Sequence, residues 1–333
     1  MSGSKSTNGL VGGLTLAALL MLIAAYFMPI WWVSLTAPNY PKDAFPDGIR
    51  IHFHFDGVYN GCKTAATGSR LDSEVIQKDL GSNEGGEREE RYNPITDARK
   101  SMNEGAKALD CVHEMNTINH YVGMYPIATG APVEKPLAKF FFGFFAVMLL
   151  GFAVTNKKLR LGVLGIGFIA VAAWTIVDQY ALGHLAANVA NYMNETGTYF
   201  KELDRIQAWG NTVGVVSHAV IAGLIVAMAI VFLGVWKVRR FELILAAVPA
   251  LLPLFFLIEY SGWLWFFGHT LNSWGAFTVK PFMPTVFGEG KVAQFSTYSY
   301  PHWGFAVLLL IFVCLAVALL LRRQQLRQEA AAG

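Results

Sequence analysis

The chain has 333 residues, of which 54% are hydrophobic and only 15% charged, and its mean hydropathy is +0.41. A soluble chain carries about 25% charged residues, so this composition excludes an ordinary soluble globular protein. The net charge of +3 reflects where Lys and Arg sit along the chain and is not the mark of a nucleic-acid binder.

Six apolar runs approach or exceed the roughly 20 residues that cross a bilayer: about 10–33, 138–155, 161–182, 210–236, 241–264 and 303–321. The first follows Lys5, but it is too long for a signal-peptide apolar region and reads as a retained span. Its end, MPIWWVSL, makes Trp31 and Trp32 interfacial anchors. TAPNYPKDAFPDG is rich in turn formers. In IRIHFHFDG, Ile51, Phe53 and Phe55 alternate with Arg50, His52, His54 and Asp56, the period-two pattern of a half-buried strand. Such a strand places His52 and His54 on one polar face, about 7 Å apart.

Residues 81–107 are polar and charged and read as a solvated excursion. Cys62 and Cys111 flank it. In an oxidising compartment the two cysteines form a disulfide, closing a loop worth on the order of 4 kcal/mol in the chain-entropy model. A thiolate metal site is the alternative. ALDCVHEMNTINHYVGMYPI then returns to apolar periodicity. As a helix it places His113, Asn116 or Thr117, His120 and Met124 on one stripe, and Gly123 and Pro126 end it.

Lys5, Lys157, Lys158, Arg160, Lys237, Arg239, Arg240, Arg322, Arg323 and Arg327 all fall on one side if both termini are cytoplasmic. The expected fold is an all-α integral membrane protein of six transmembrane helices, N-in and C-in, in a bacterial inner membrane. A first helix (1–33) precedes a small mixed α+β periplasmic domain (34–137), and a five-helix domain follows (138–333) with outer loops at 183–209 and 265–302. Span five carries Pro249 and Pro253, which predict a kink. GVLGIG (162–167) lies inside span three and reads as close helix packing, so no phosphate-binding loop points to a nucleotide.

All eight histidines, 52, 54, 113, 120, 184, 218, 269 and 302, fall in outer segments or at outer helix ends. Helical rise from the inner ends puts His218 and His302 about 28–30 Å up, and Asp178 and Glu259 about 27 Å up. Ionisable residues at that level are functional candidates. An interfacial role accounts for each histidine singly; all eight on one side points to metal or haem. Imidazole suits several metals, and thioether sulfur selects copper(I). The candidate copper ligands are His120, Met124, His113, His52, His54 and His269. Met102, Met193 and Met283 also lie in outer segments. The rival is haem b or a quinol: His218 with His302, or His184 with His269, would supply axial ligands, and Asp178 or Glu259 would serve a quinol. CxxCH, GxSxG and HExxH do not occur.

APNYP (37–41), NHYVGM (119–124), WFFGHTLN (265–272), KPFMP (280–284) and SYP (299–301) resemble the strings of a family of multi-span bacterial membrane proteins. That family is associated with copper nitrogen-cycle enzymes, of the nitrous oxide reductase and membrane monooxygenase type, and with copper delivery lipoproteins. The resemblance implies outer-face copper handling, or an accessory subunit within a membrane or periplasmic copper protein complex. Catalysis by this chain alone is not implied. A structural subunit without cofactor is the third reading.

Overall fold

The computed structural model describes residues 2–38, 40, 45–62, 110–238, 240–276, 278–292 and 294–332. The polar excursion at 81–107, Met102, Arg239, and Asn39 and Pro41 of APNYP lie outside these residues. Among the described residues, five helices are long and apolar enough to cross a membrane: α1 (Ser2–Phe27), α3 (Glu134–Ala153), α4 (Lys157–Ile176, continued by a π turn at Val177–Ala181), α6 (Leu203–Lys237) and α9 (Trp303–Ala332). A sixth crossing exists if α7 (Ile244–Ala250) and α8 (Leu252–His269) count as one span, bent by 50°. The bend falls at Leu251, between Pro249 and Pro253. Each proline lacks an amide proton and clashes with the turn before it. Outward-facing side chains are apolar: Ile166 is 76% exposed and Leu20 69%. Water would not tolerate that surface, but lipid would.

The first span ends earlier than the sequence reading placed it. α1 stops at Phe27, and Trp31–Thr36 is a strand, β1. Pro29 cannot continue the helix ladder. The run WWVSLT is β-branched and aromatic, which suits a pleated surface. Trp31 is not an interfacial anchor: it is 2% exposed, and its indole donates to Ser299 at 2.9 Å. Trp32 lies under the Arg50 guanidinium, 4.0 Å from ring centre to cation.

β1 is the centre of a five-stranded antiparallel sheet of order β3-β2-β1-β5-β4, with β2 Ile49–Phe53, β3 Val58–Asn60, β4 Gly288–Val292 and β5 Phe295–Pro301. The small unit at this end therefore draws strands from both 31–60 and 288–301. Residues 34–137 do not build it alone. The register sets Trp32 opposite His52 and Tyr300, and His52 opposite Tyr59. Ile49, Ile51, Val33, Leu35 and Phe295 are buried. α2 (Cys111–Tyr121) packs on β2. Ser299 Oγ meets the Tyr260 hydroxyl at 3.1 Å and donates to the Val286 carbonyl at 2.7 Å, so α8 is hydrogen-bonded to the sheet.

In the bundle, α1 packs on α9 and α3, α3 on α4, and α4 on α6. The end away from the sheet is closed by charge. Arg160, 2% exposed, pairs with Glu242 and donates to the Val154 carbonyl, and Arg322 Nε meets the other Glu242 oxygen at 2.7 Å. Lys157 reaches the Trp236 carbonyl at 3.0 Å. Four of the basic residues that argued for one orientation thus gather at one end, if Lys237, the last residue of α6, is included.

Candidate functional site

The sequence candidates separate into three places. The first is α2. Asp110 caps it, accepting from the Val112 and His113 amides at 3.1 Å. Cys111 is bonded to Cys62, so α2 is tied to the end of the β2–β3 hairpin and neither sulfur is a thiolate ligand. His113 shares a hydrogen bond of 3.1 Å with the Tyr199 hydroxyl on α5 (His184–Tyr199). His120 lies against Phe200, with ring centres 4.9 Å apart, and its Nδ1 is buried without a partner. Burial holds its pKa below the ordinary histidine value.

The stripe expected to join His120 to Met124 does not form. α2 ends at Tyr121, and Gly123 takes φ +81. Met124 is 5% exposed and lines a core cavity of about 80 Å³ with Met115, Ile118 and Leu264, a cavity His120 does not line. A helix must run through both positions for an i,i+4 pair to meet, and the left-handed turn breaks it. Only a residue without a Cβ fits at Gly123, because the Asn272 carbonyl lies where that carbon would stand. Asn272 N also donates to the Gly123 carbonyl at 2.7 Å. NHYVGM and WFFGHTLN therefore interlock as packing. So do WFFGHTLN and KPFMP, where Phe282 N donates to the Gly268 carbonyl at 3.1 Å.

The second place is the ring of helix ends. His184 Nδ1 is 3.2 Å from Asp178, whose carboxylate also takes Lys139 at 2.8 Å and the Gln179 amide at 2.8 Å. The π turn of Val177–Ala181 carries Asp178 inward to 6% exposure. His218 bonds the Tyr180 hydroxyl at 2.9 Å and stacks on its ring. His269 bonds the Trp265 carbonyl at 2.8 Å and stacks on that indole at 4.5 Å. The axial pairs His218 with His302 and His184 with His269 are not brought into ring contact; each of these histidines is engaged by a nearer partner.

The third place is where the sheet meets the bundle, and it contains a histidine–histidine contact. The His52 and His302 rings are 5.0 Å apart, although the residues are 250 positions apart in sequence. β2 presents His52. His302 stands between β5 and α9, where its amide donates to the Ile30 carbonyl at 2.9 Å and its Nδ1 accepts from the Trp303 amide at 2.8 Å. His52 Nε2 is buried without a partner, against Gly61, where an added Cβ would stand 2.9 Å from it. Burial, then His302, Arg50 and His54, push the His52 pKa down to about 4. Burial and then Arg50 lower His302, and burial lowers His54 against an opposing pull from Asp56. All three are thus neutral at pH 7, the ligating form of imidazole. Among the described residues, no three His, Cys, Asp or Glu side chains converge to hold a metal ion. The contact offers two ligands.

Beside this pair, His54 turns to Tyr59, ring centres 4.5 Å apart, and also lines a cavity of about 650 Å³. α3, α6 and α8 form its walls, mainly with apolar and aromatic side chains; the ionisable groups among them are His54, Glu134, Lys135, Glu259 and Tyr260. One carboxylate oxygen of Glu134 is buried without a partner, and Lys135 donates to the Ala128 carbonyl. The sequence reading missed Glu134, Lys135 and Arg50. A Glu-Lys pair directly abutting span two was the available signal.

Comparison of the chain with protein-family models, with curated proteins and with solved structures finds no match.

Proposed function

We propose that this chain is an accessory subunit of a bacterial inner-membrane copper system, and that it handles copper with His52 and His302 at its sheet-bearing end. One observation carries the reading: two imidazole rings touch, and one of them holds a buried ring nitrogen with no partner. Such a nitrogen costs about 1–3 kcal/mol unless something fills its lone pair or takes its proton. The residues fit a two-imidazole chelate better than the His120 and Met124 set, whose side chains diverge, or His113 and His269, which have other partners. Bound there, copper would supply a soft, exchangeable cation site for delivery or electron transfer. His54 stands next in line, and the Arg50 charge, stacked on Trp32, opposes any cation.

The orientation in this proposal puts the sheet in the periplasm. Its supports are the gathering of basic residues at the opposite end and a disulfide at the sheet end, which belongs to an oxidising compartment. The resemblance to proteins of copper nitrogen-cycle clusters points the same way.

The test is anaerobic copper(I) titration of the detergent-solubilised full chain against a chromogenic chelator. The expected outcome is one copper per chain, bound at least about tenfold more weakly after loss of one ligand in either His52→Ala or His302→Ala. Equal affinity in both variants, or a loss found only in His120→Ala, overturns it. A Soret band in the purified protein would replace copper with haem.

A further inference from the structure

The 650 Å³ cavity is not absorbed by the copper reading. Its volume is in the range of built small-molecule sites, about 300–1,000 Å³, which combine apolar walls with a few placed polar groups. α6 packs on α4 and α5, whereas α8 packs on α7 and α9. α6 and α8 are joined near the sheet end by an edge-to-face contact of Trp209 with Phe266, 5.1 Å between ring centres. Both helices line the cavity: Val220, Gly223, Leu224 and Ala227 from α6, and Leu252, Phe256, Glu259 and Leu264 among others from α8. A Cβ built on Gly223 would meet nothing within 4 Å. The space is lined and not filled.

The polar groups select the ligand. The Tyr260 hydroxyl is committed to Ser299, and the Lys135 ammonium donates to the Ala128 carbonyl and keeps its charge. That leaves the Glu134 and Glu259 carboxyl groups and the His54 ring, each able to accept a hydrogen bond. A phosphodiester headgroup would meet two carboxyl groups against the single Lys135 ammonium, a balance that does not favour an anion. A ring bearing hydroxyl groups would donate to them. Phe55, Phe142 and Phe256 form a run of edge-to-face contacts along the wall, ring centres 4.7 and 6.0 Å apart, an environment that favours a flat aromatic guest.

We propose that this cavity binds a membrane-soluble quinol, its hydroxylated ring at Glu134, Glu259 and His54 and its apolar tail between α6 and α8. Asp178, the other acid at this level, takes no part, because Lys139, His184 and Gln179 occupy it. The site needs no metal, and it stands whether or not His52 and His302 hold copper.

The experiment uses the full chain in phosphatidylcholine nanodiscs under argon, with decylubiquinol as the probe and empty nanodiscs to subtract partitioning into lipid. Saturable binding of one probe per chain is expected. Gly223→Phe fills the cavity and is expected to abolish saturable binding. Glu259→Leu removes the acceptor and is expected to weaken binding about tenfold, the effect of losing one hydrogen bond. Ala227→Leu serves as a second filling variant if Gly223→Phe changes the melting temperature. Copper(I) titration of the same samples is expected to be unchanged, which separates failure here from failure of the copper reading. Binding no greater than partitioning, equal binding in a stably folded filled variant, or a stoichiometric phospholipid that decylubiquinol does not displace would each overturn the proposal.

Discussion

The two ends of the helical bundle treat their buried polar groups in opposite ways. At the end away from the sheet, Arg160 and Arg322 share Glu242, and Arg160 also donates to the Val154 carbonyl; among the described residues there, the amide nitrogen of Gln325 alone is buried without a partner. At the sheet end, His52, His120 and Glu134 each bury an atom with none. Buried polar groups are usually satisfied, and an exception calls for an explanation. One end uses its charges to fasten helices together. The other leaves buried polar atoms unpaired, and one of them, on Glu134, belongs to a residue that lines the cavity.

The contrast can be broken at either end. The largest effect is expected from Glu242→Ala, which leaves two buried guanidinium groups uncompensated. Loss of a partner from a buried ion pair costs about 3–5 kcal/mol, so thermal melting in detergent should show a large loss of stability while copper and decylubiquinol binding in the surviving fold stay unchanged. Binding that falls with stability would mean that the two ends are not separate. Next is pH. The His52 pKa is lowered from 6.5 to about 4, so below pH 6.5 the unfolded chain takes up a proton that the fold refuses. Its contribution is complete above pH 6.5 and is lost as pH falls towards 4. His52 is only half-buried, so the loss is discounted to about 1–2 kcal/mol. A His52→Asn variant should show a shallower fall in melting temperature between pH 7 and 4.5; the same slope would assign the acid sensitivity elsewhere. The smallest effect is expected from His120→Phe. Removing an unpartnered buried nitrogen and keeping a ring against Phe200 should change stability by less than about 1 kcal/mol, in the stabilising direction. A clear destabilisation would reveal a partner for Nδ1.

Local pattern was legible in the sequence, and long-range pairing was not. The alternation in IRIHF marked β2, Gly123 marked the end of α2, and Pro249 and Pro253 marked the bend before α8, because each is decided within a few residues. β1 was hidden. IWWVSL runs on from an apolar span without a change of composition, and only the break at Pro29 separates them. β4 and β5 lay in a segment read as loop, although Phe295, Thr297 and Ser299 alternate with Ser296, Tyr298 and Tyr300 in a strand pattern. The clustering of histidines on one side was visible. The contact of His52 with His302 was not, since it depends on β5 reaching β1. The cavity was equally invisible: Gly223, Phe142 and Glu259 become neighbours of one space only when three helices fail to close on one another.

The central position of β1 has a further consequence, for assembly. Its neighbour on one side, β2, follows within twenty residues, but β5 on the other side is about 260 residues later. At roughly 5–20 residues per second, one edge of β1 waits on the order of 13–50 s after it is made, while the intervening helices are synthesised. β5, made just before the last helix, then supplies the missing neighbour, and His302 follows it directly. Completion of the sheet is therefore a checkpoint on synthesis of the whole chain: a nascent chain stopped before Phe295 has an open strand edge, a known template for misassociation, and lacks half of the imidazole pair.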